Sequence, residues 1–183
     1  RRTNDALSVA YGFAVSRLMH KDIELGMNDN GFVLSSYSKM PVETALKAVK
    51  SEELEKVLAM AIDGTEILSR RFRHCATRGL MILRSYKGKT KSAGRQQMSS
   101  RLLLSAVKRI SNNFPILKEA RREVLEDAMD IRHAVQVVKA METGEIKVKK
   151  IQTEFPSPFA FSMAFEGRLD LMRGEEKLEF LKR

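Results

Sequence analysis

The feature that most limits what this chain can be is a 52-residue stretch, Ile67 to Lys118, that contains no Asp or Glu but 13 basic residues. They are Arg70, Arg71, Arg73, Arg78, Arg84, Lys87, Lys89, Lys91, Arg95, Arg101, Lys108, Arg109 and Lys118. The 183-residue chain holds 33 Lys and Arg against 23 Asp and Glu, so the rest balances 20 basic residues against 23 acidic ones. The net charge of +10 therefore sits entirely in one central stretch of a mildly acidic body. Charge so concentrated repels itself unless an anionic surface faces it, and a phosphate backbone is the commonest such surface in a cell. A short basic run would read as a solvated face. Fifty-two residues without an acid point to contact with nucleic acid.

The length suits one domain, residues 1–183, or at most two small ones sharing a surface. With 43% hydrophobic residues, 4 Pro and 10 Gly, neither disorder nor a repeat array is expected. A single Cys excludes an internal disulfide and a Cys-based zinc site, and fits a reducing compartment. No apolar run reaches the roughly 18 residues of a membrane span, so a cytoplasmic protein without a membrane partner is expected. The chain opens without Met, in what reads as a turn into a helix, and is expected to be part of something longer.

Periodicity gives a mainly helical α+β chain. Leu7, Ala10, Tyr11, Ala14, Val15 and Leu18 recur at helical spacing over Asn4–His20, behind an Asn or Asp cap. Ile23–Met27 and Phe32–Ser36 flank Asn28-Asp29-Asn30-Gly31, whose Asn-Gly pair tolerates the positive φ of a tight turn, so a hairpin is expected near residues 23–36. Helices should fill Val42 to Ile62, with Pro41 at a first helical position and Ser51 as a cap.

From Glu66 to Arg84 the residues Ile67, Leu68, Phe72, Cys75, Ala76, Gly79, Leu80 and Leu83 gather on one side, and Arg70, Arg73, His74, Thr77, Arg78 and Arg84 on the other. A Gly-, Lys- and Ser-rich link, 85–94, leads to a helix with Met98, Leu102, Leu103, Ala106, Val107 and Ile110 inward, and Gln97, Arg101, Ser105 and Lys108 outward. Two helices and a basic loop would thus form a cradle able to follow a backbone. Pro115 should start a helix running to about Met129, and the next should stop at Gly144. A further strand is expected near 145–151, and the charged tail from Glu175 should fray.

Catalytic chemistry is not indicated. Lys87-Gly88-Lys89-Thr90 contains Gly-Lys-Thr, but a phosphate-binding loop needs another Gly five residues before Gly88, and Leu83 stands there. His20, His74 and His133 have no metal-ligand spacing. Cys75 lies on an apolar helix face and reads as core. The carboxylates Glu119, Glu123, Glu126, Asp127 and Asp130 interleave with Lys118, Arg121, Arg122 and Arg132, which suits pairing on a helix surface.

The sequence resembles the DEAD/H-associated domain that follows the motor in the large helicase-related (Lhr) family. The resemblance rests on Arg1-Arg2-Thr3-Asn4-Asp5-Ala6-Leu7, on Asn28 to Phe32, on the block Phe72 to Arg84 continuing through Gly94-Arg95-Gln96-Gln97, and on Pro156-Ser157-Pro158-Phe159-Ala160. It implies a parent ATP-dependent superfamily 2 helicase, a hydrolase using ATP and Mg. Such a parent would have RecA-like motor domains and a winged helix as partners in the same chain, and a place in DNA repair.

For this segment the resemblance implies no catalysis and no cofactor or metal of its own, but a grip on single-stranded DNA or RNA. The expected nucleic-acid-binding residues are Arg70, Arg73, His74, Arg78, Lys87, Lys89, Lys91, Arg95 and Arg101, with Gln96 and Gln97 reaching sugars or base edges and Tyr86 stacking a base. In a competing reading the basic face docks on the motor or on a protein partner, and Arg73, His74 and Gln97 bond neighbouring helices instead.

Overall fold

The structure, a computed structural model, describes residues 1–154, 157–158 and 160–161, with the Tyr86 side chain outside that description. Two compact units result: one from Arg1–Leu54 together with the segment from His133 onward, the other from Glu55–Arg132. The second is a continuous stretch inserted into the first.

In the first unit, helix α1 (Arg2–Met19) packs against a hairpin of β1 (Glu24–Met27) and β2 (Phe32–Ser35). Ala6, Leu7, Ala10, Tyr11 and Val15 are buried, as their spacing requires, while Leu18 at the end of the row is exposed. Asn4 is not the cap. It lies in the first turn, and its Nδ2 donates to the carbonyls of Asn28 and Asp29, each at 3.1 Å, tying the helix to the hairpin loop. The strands pair antiparallel from Glu24↔Ser35 to Met27↔Phe32. Their loop does not use the positive φ that Asn30-Gly31 would permit. Instead, Asn28 Oδ1 accepts the Asn30 and Gly31 amides at 2.9 and 3.0 Å, and the side chain thereby replaces the strained turn. Tyr11 stacks on Phe32 with ring centres 6.0 Å apart, and Gly12 lets the helix approach Leu25 so closely that a Cβ there would strike its side chain.

Helix α2 (Val42–Ala48) starts after Pro41, which is its cap rather than its first residue. Ser51 does not cap α3 (Leu54–Ile62) through its own oxygen. Its amide and hydroxyl donate to the carboxylate of Glu142 on α7 (Ile131–Glu142), which holds that carboxyl below its ordinary range. Gly144, at φ 79°, ends α7 with its amide bonded to the Met141 carbonyl, as expected. The strand expected near 145–151 does not form. Ile146 and Val148 alternate, but both are exposed, and no partner edge among the described residues accepts a ladder.

The second unit is built on α4 (Glu66–Arg78), which packs against α5 (Ala93–Ile110), α6 (Pro115–Arg122) and a π-helical turn (Glu123–Ala128). Leu68, Phe72, Cys75 and Ala76 of α4 are buried, as are Leu104 and Val107 of α5, Leu117 and Ala120 of α6, and Val124 and Leu125 of the π turn. Thr65 caps α4, accepting the Leu68 amide. The helix stops at Arg78, well before the expected Arg84, because the chain turns left-handed at Leu80, φ 57°. The amides of Leu80 and Met81 return to the carbonyls of Thr77 and Ala76, which closes the helix end. Leu80 and Leu83 therefore leave the inward face, while Ile82 is buried.

The buried line of α5 is also rotated from the expected one. Ser100, Leu104 and Val107 face inward, and Met98, Leu102 and Ile110 face outward. The expected link contains a second hairpin, β3 (Ser85–Tyr86) with β4 (Lys89–Thr90).

Candidate nucleic-acid interface

The second unit holds 17 basic and 8 acidic residues, against 16 and 15 in the rest of the chain. Its cations fall into three groups with different surroundings.

The first group is a shallow cleft between α4 and α5, lined by Glu66, Ser69, Arg70 and Arg73 on one helix and by Gln97, Ser100 and Arg101 on the other. The spacing 66, 69, 70, 73 is one face of a helix, as is 97, 100, 101. Arg70, Arg73 and Gln97 have no side-chain partner among the described residues. Arg101 stands 3.9 Å from Glu66 across the cleft. Ser69 bonds the Thr65 carbonyl at 3.2 Å. Ser100 is 3% exposed, and its hydroxyl has no protein partner among the described residues. Four expected site residues, Arg70, Arg73, Gln97 and Arg101, thus share one cleft. Ser69, Ser100 and Glu66 went unnoticed in the sequence, although each lies three or four residues from one of those four.

The second group is the hairpin. Lys87 (φ 50°) and Gly88 (φ 74°) form its two-residue turn, with positive φ at both central positions as the right-handed twist of paired strands demands. The Gly-Lys-Thr sequence is thereby a turn and a strand, not a phosphate-binding loop. Strand alternation places Lys89 and Lys91 on one face, and the Lys91 amide bonds the Arg84 carbonyl at 2.8 Å. Gln96 donates to the Lys91 carbonyl at 2.9 Å, so it fastens the hairpin to the first turn of α5 rather than presenting its amide outward. Arg95 is exposed beside it, and its amide is capped by Ser92. The stacking expected of Tyr86 lies outside the described side chains.

The third group is occupied with acids. Arg78 donates to Glu123, a carboxylate only 5% exposed on the π turn, and Arg71 approaches the same group at 3.9 Å. Arg78 also donates to Cys75 Sγ at 3.4 Å. Burial nevertheless pushes the Cys75 thiol above its ordinary range, in keeping with its place in the core. Of the carboxylates expected on a helix surface, Glu119, Glu126 and Asp127 pair with Arg122 there. Glu123 is different, reaching across to α4.

Asp63 joins three elements. It accepts from Lys108 of α5 at 3.0 Å and from Arg121 of α6 at 2.7 Å. Burial raises its carboxyl, but the hydrogen bonds from Arg121 and Lys108 outweigh that, and the net result lies below the usual range. His74 is exposed between the first and third groups. Among the described residues no cluster of His, Cys, Asp and Glu could hold a metal, and no helix is long and apolar enough to cross a membrane.

Residues 1–160 match the family described as DEAD/H associated. Over its whole length the chain is 46% identical to the ATP-dependent helicase Lhr-Core of Methanothermobacter thermautotrophicus, and spans 21% of that protein. It is 27% identical, over 90% of its length, to the Lhr helicase/uracil glycosylase of Escherichia coli, of which it spans 11%. A solved structure, the Mycobacterium smegmatis helicase Lhr bound to single-stranded DNA and AMP-PNP, superposes with a TM-score of 0.72 at 26% identity, covering 88% of this chain and 20% of that one. The chain thus spans about a fifth of the archaeal relative and of the solved helicase, and it belongs to the DEAD/H-associated family as a domain of the kind that Lhr-type helicases carry.

Proposed function

We propose that this chain is a non-catalytic domain of an ATP-dependent superfamily 2 helicase, and that its insert grips a single strand of nucleic acid. The observation that carries this reading is the convergence of Arg70, Arg73, Gln97 and Arg101 on one cleft of a unit with a net charge of +9. The guanidiniums of Arg70 and Arg73, which have no acid partner among the described residues, suit phosphate oxygens and read no sequence. The basic hairpin and Arg95 extend the same charge, and the similar mycobacterial helicase is a complex with single-stranded DNA. The Gly-Lys-Thr sequence stands in a hairpin turn, so the ATP and Mg of such a helicase belong to RecA-like motor domains elsewhere in a longer chain, with a winged helix beside them. RNA as a second strand type, a role in DNA repair and a cytoplasmic setting belong to the same proposal.

One observation favours the docking reading. Met98, Leu102 and Ile110 form an outward row on α5, 60%, 65% and 73% exposed, which phosphate binding does not use. A basic face bordered by apolar residues also fits the surface of a motor or partner protein.

Fluorescence anisotropy with labelled single-stranded DNA and RNA across a salt series separates the two readings. Strand binding predicts affinity falling with a log-log slope of about −3 to −4, as roughly five phosphate contacts on a single strand require. Changing Lys87, Lys89, Lys91 and Arg95 to Ala together should flatten that slope. No binding at low salt, or binding indifferent both to the four changes and to Arg70→Gln with Arg73→Gln, would move the basic face to docking.

A further inference from the structure

The cleft between α4 and α5 has a property the rest of the basic surface lacks. Lys89 and Arg95 are exposed surface cations, and Lys91 between them is half-buried on the hairpin. In the cleft, Ser100, a polar residue only 3% exposed, lines the same space as three guanidiniums and a carboxamide. A hydroxyl on so nearly buried a residue has few directions in which to find a partner. That of Ser100 has no protein partner among the described residues, and the cleft is where a partner can reach it. The space at the floor is about 10 Å³, room for one oxygen atom of a ligand whose remainder stays outside.

We infer that this cleft is a discrete anchor for one phosphate group, with Ser100 and Gln97 donating from the floor and Arg70, Arg73 and Arg101 closing on the oxyanion from the rim. The donors fit the ligand: a hydroxyl and a carboxamide N–H offer neutral hydrogen bonds, while guanidinium forks hold two oxygens at once. Glu66 is a positioning residue. At 3.9 Å from Arg101 it draws that side chain across the cleft, and an entering phosphate replaces it as the partner. The site lies along the helix flanks, beyond the first turn of α5, so side chains supply the donors and not the free amides of a helix end.

The inference deepens the proposed grip, because the phosphate of a nucleic-acid strand is then held at one fixed point while the hairpin supplies diffuse attraction. A tetrahedral phosphate oxyanion has two sources here, an internal phosphodiester and a terminal phosphate. The open cleft leaves both sides of the group free, which suits the internal one.

The test is a titration of the ¹⁵N-labelled chain with inorganic phosphate, against chloride at equal ionic strength, followed at the Nε resonances of Arg70, Arg73 and Arg101 and the amide of Ser100. Saturable shifts at these positions, with non-saturating shifts at Lys89 and Lys91, are expected. Arg73→Gln should weaken phosphate binding about ten-fold or more, and Ser100→Ala about five-fold, which is the loss of one hydrogen bond. Because the Ser100 hydroxyl has no protein partner, Ser100→Ala should leave the unfolding midpoint unchanged, and a merely structural serine would not give that pair of results.

Oligothymidylates with a 5′-hydroxyl or a 5′-phosphate then distinguish the sources. Equal affinities, both reduced by Arg73→Gln, identify an internal phosphodiester, and a gain with the 5′-phosphate that Arg73→Gln removes identifies a terminal one. If strands bind but the cleft resonances stay silent and Arg73→Gln and Ser100→Ala change nothing, the anchor is overturned and the general grip survives. If phosphate saturates the cleft but no strand binds, the anchor stands and the grip fails.

Discussion

The two units differ in what their charges do. In the first, 16 basic and 15 acidic residues nearly cancel, and beside two exposed ion pairs, Lys150 with Glu43 and the Arg1 amino terminus with Asp29, its contacts are neutral or singly charged: Asn4 on the hairpin carbonyls, Tyr11 on Phe32, Ser51 on Glu142. In the insert the acids are consumed by specific cations. Asp63 takes Lys108 and Arg121, Glu123 takes Arg71 and Arg78, and Glu119 takes Arg122. Arg70, Arg73, Arg84, Lys89, Lys91 and Arg95 have no acid partner among the described residues. The difference separates two uses of positive charge within one small unit. Cations facing an acid brace α4, α5, α6 and the π turn against one another, and cations without one raise the local potential where an anion can approach.

The sharpest way to break that comparison is to remove the apolar support on which both uses depend. Phe72 is fully buried at the centre of α4, between the flank that bears Arg70 and Arg73 and the flank that bears Arg71 and Arg78. Phe72→Ala should lower stability by about 3–5 kcal/mol, read from urea unfolding. A loss under about 1.5 kcal/mol would mean that ion pairs rather than packing hold the insert.

Next comes the brace itself. Asp63→Asn should lower stability by about 1–2 kcal/mol, since charged hydrogen bonds of this kind are discounted by partial exposure. The folded-state carboxyl of Asp63 is held below its unfolded value, so its contribution is present above about pH 3.9 and is lost as pH falls through the lower folded value. Wild-type protein should therefore lose stability on acidification below about pH 4, and Asp63→Asn should flatten that part of the curve. Arg70→Gln and Arg73→Gln, on the unbraced flank, should leave the unfolding midpoint within the range typical of surface changes, about 0.5 kcal/mol. Equal effects at Asp63 and at Arg73 would erase the distinction between the two kinds of cation.

How far the sequence could show this division depends on distance along the chain. The strands β1 and β2 were legible nearly to the residue, because a hairpin is a local event, although the turn forms through the Asn28 side chain and not through the positive φ expected of Asn30-Gly31. The basic stretch was legible as charge, and Arg70 and Arg73, or Gln97 and Arg101, as helical neighbours. Their meeting across α4 and α5 was not, since the periodicity of α5 misleads. Leu102, Leu103 and Leu104 are consecutive, so more than one face of the helix is apolar, and the pattern cannot say which face a neighbour covers. Packing chose Ser100, Leu104 and Val107, which turned Gln97 and Arg101 toward α4 and left Met98, Leu102 and Ile110 outward. Glu123 was misread for a related reason. It sits among surface acids in sequence, but the π turn carries it inward to Arg78, 45 residues away.

The end of α4 is the subtlest departure, and it supports the smallest effect. Periodicity carries an apolar face through Leu83, and Gly79 looks like one more small residue within it. In the structure Gly79 is the cap, at φ −76°, and a Cβ there would strike Ile116, so this glycine serves close packing. The left-handed position that usually takes glycine is filled by Leu80, 75% exposed. A leucine in that conformation costs about 1–2 kcal/mol, of which the greater unfolded freedom of glycine returns roughly half. Leu80→Gly should therefore stabilise the insert by about 0.5–1 kcal/mol, with Leu80→Ala close to neutral because β-carbon strain remains. A loss on Leu80→Gly in the isolated chain would show that the exposed leucine packs within this structure after all. A gain in stability accompanied by weaker association with the remainder of a helicase would assign its side chain to the neighbouring domain, alongside the outward row of α5.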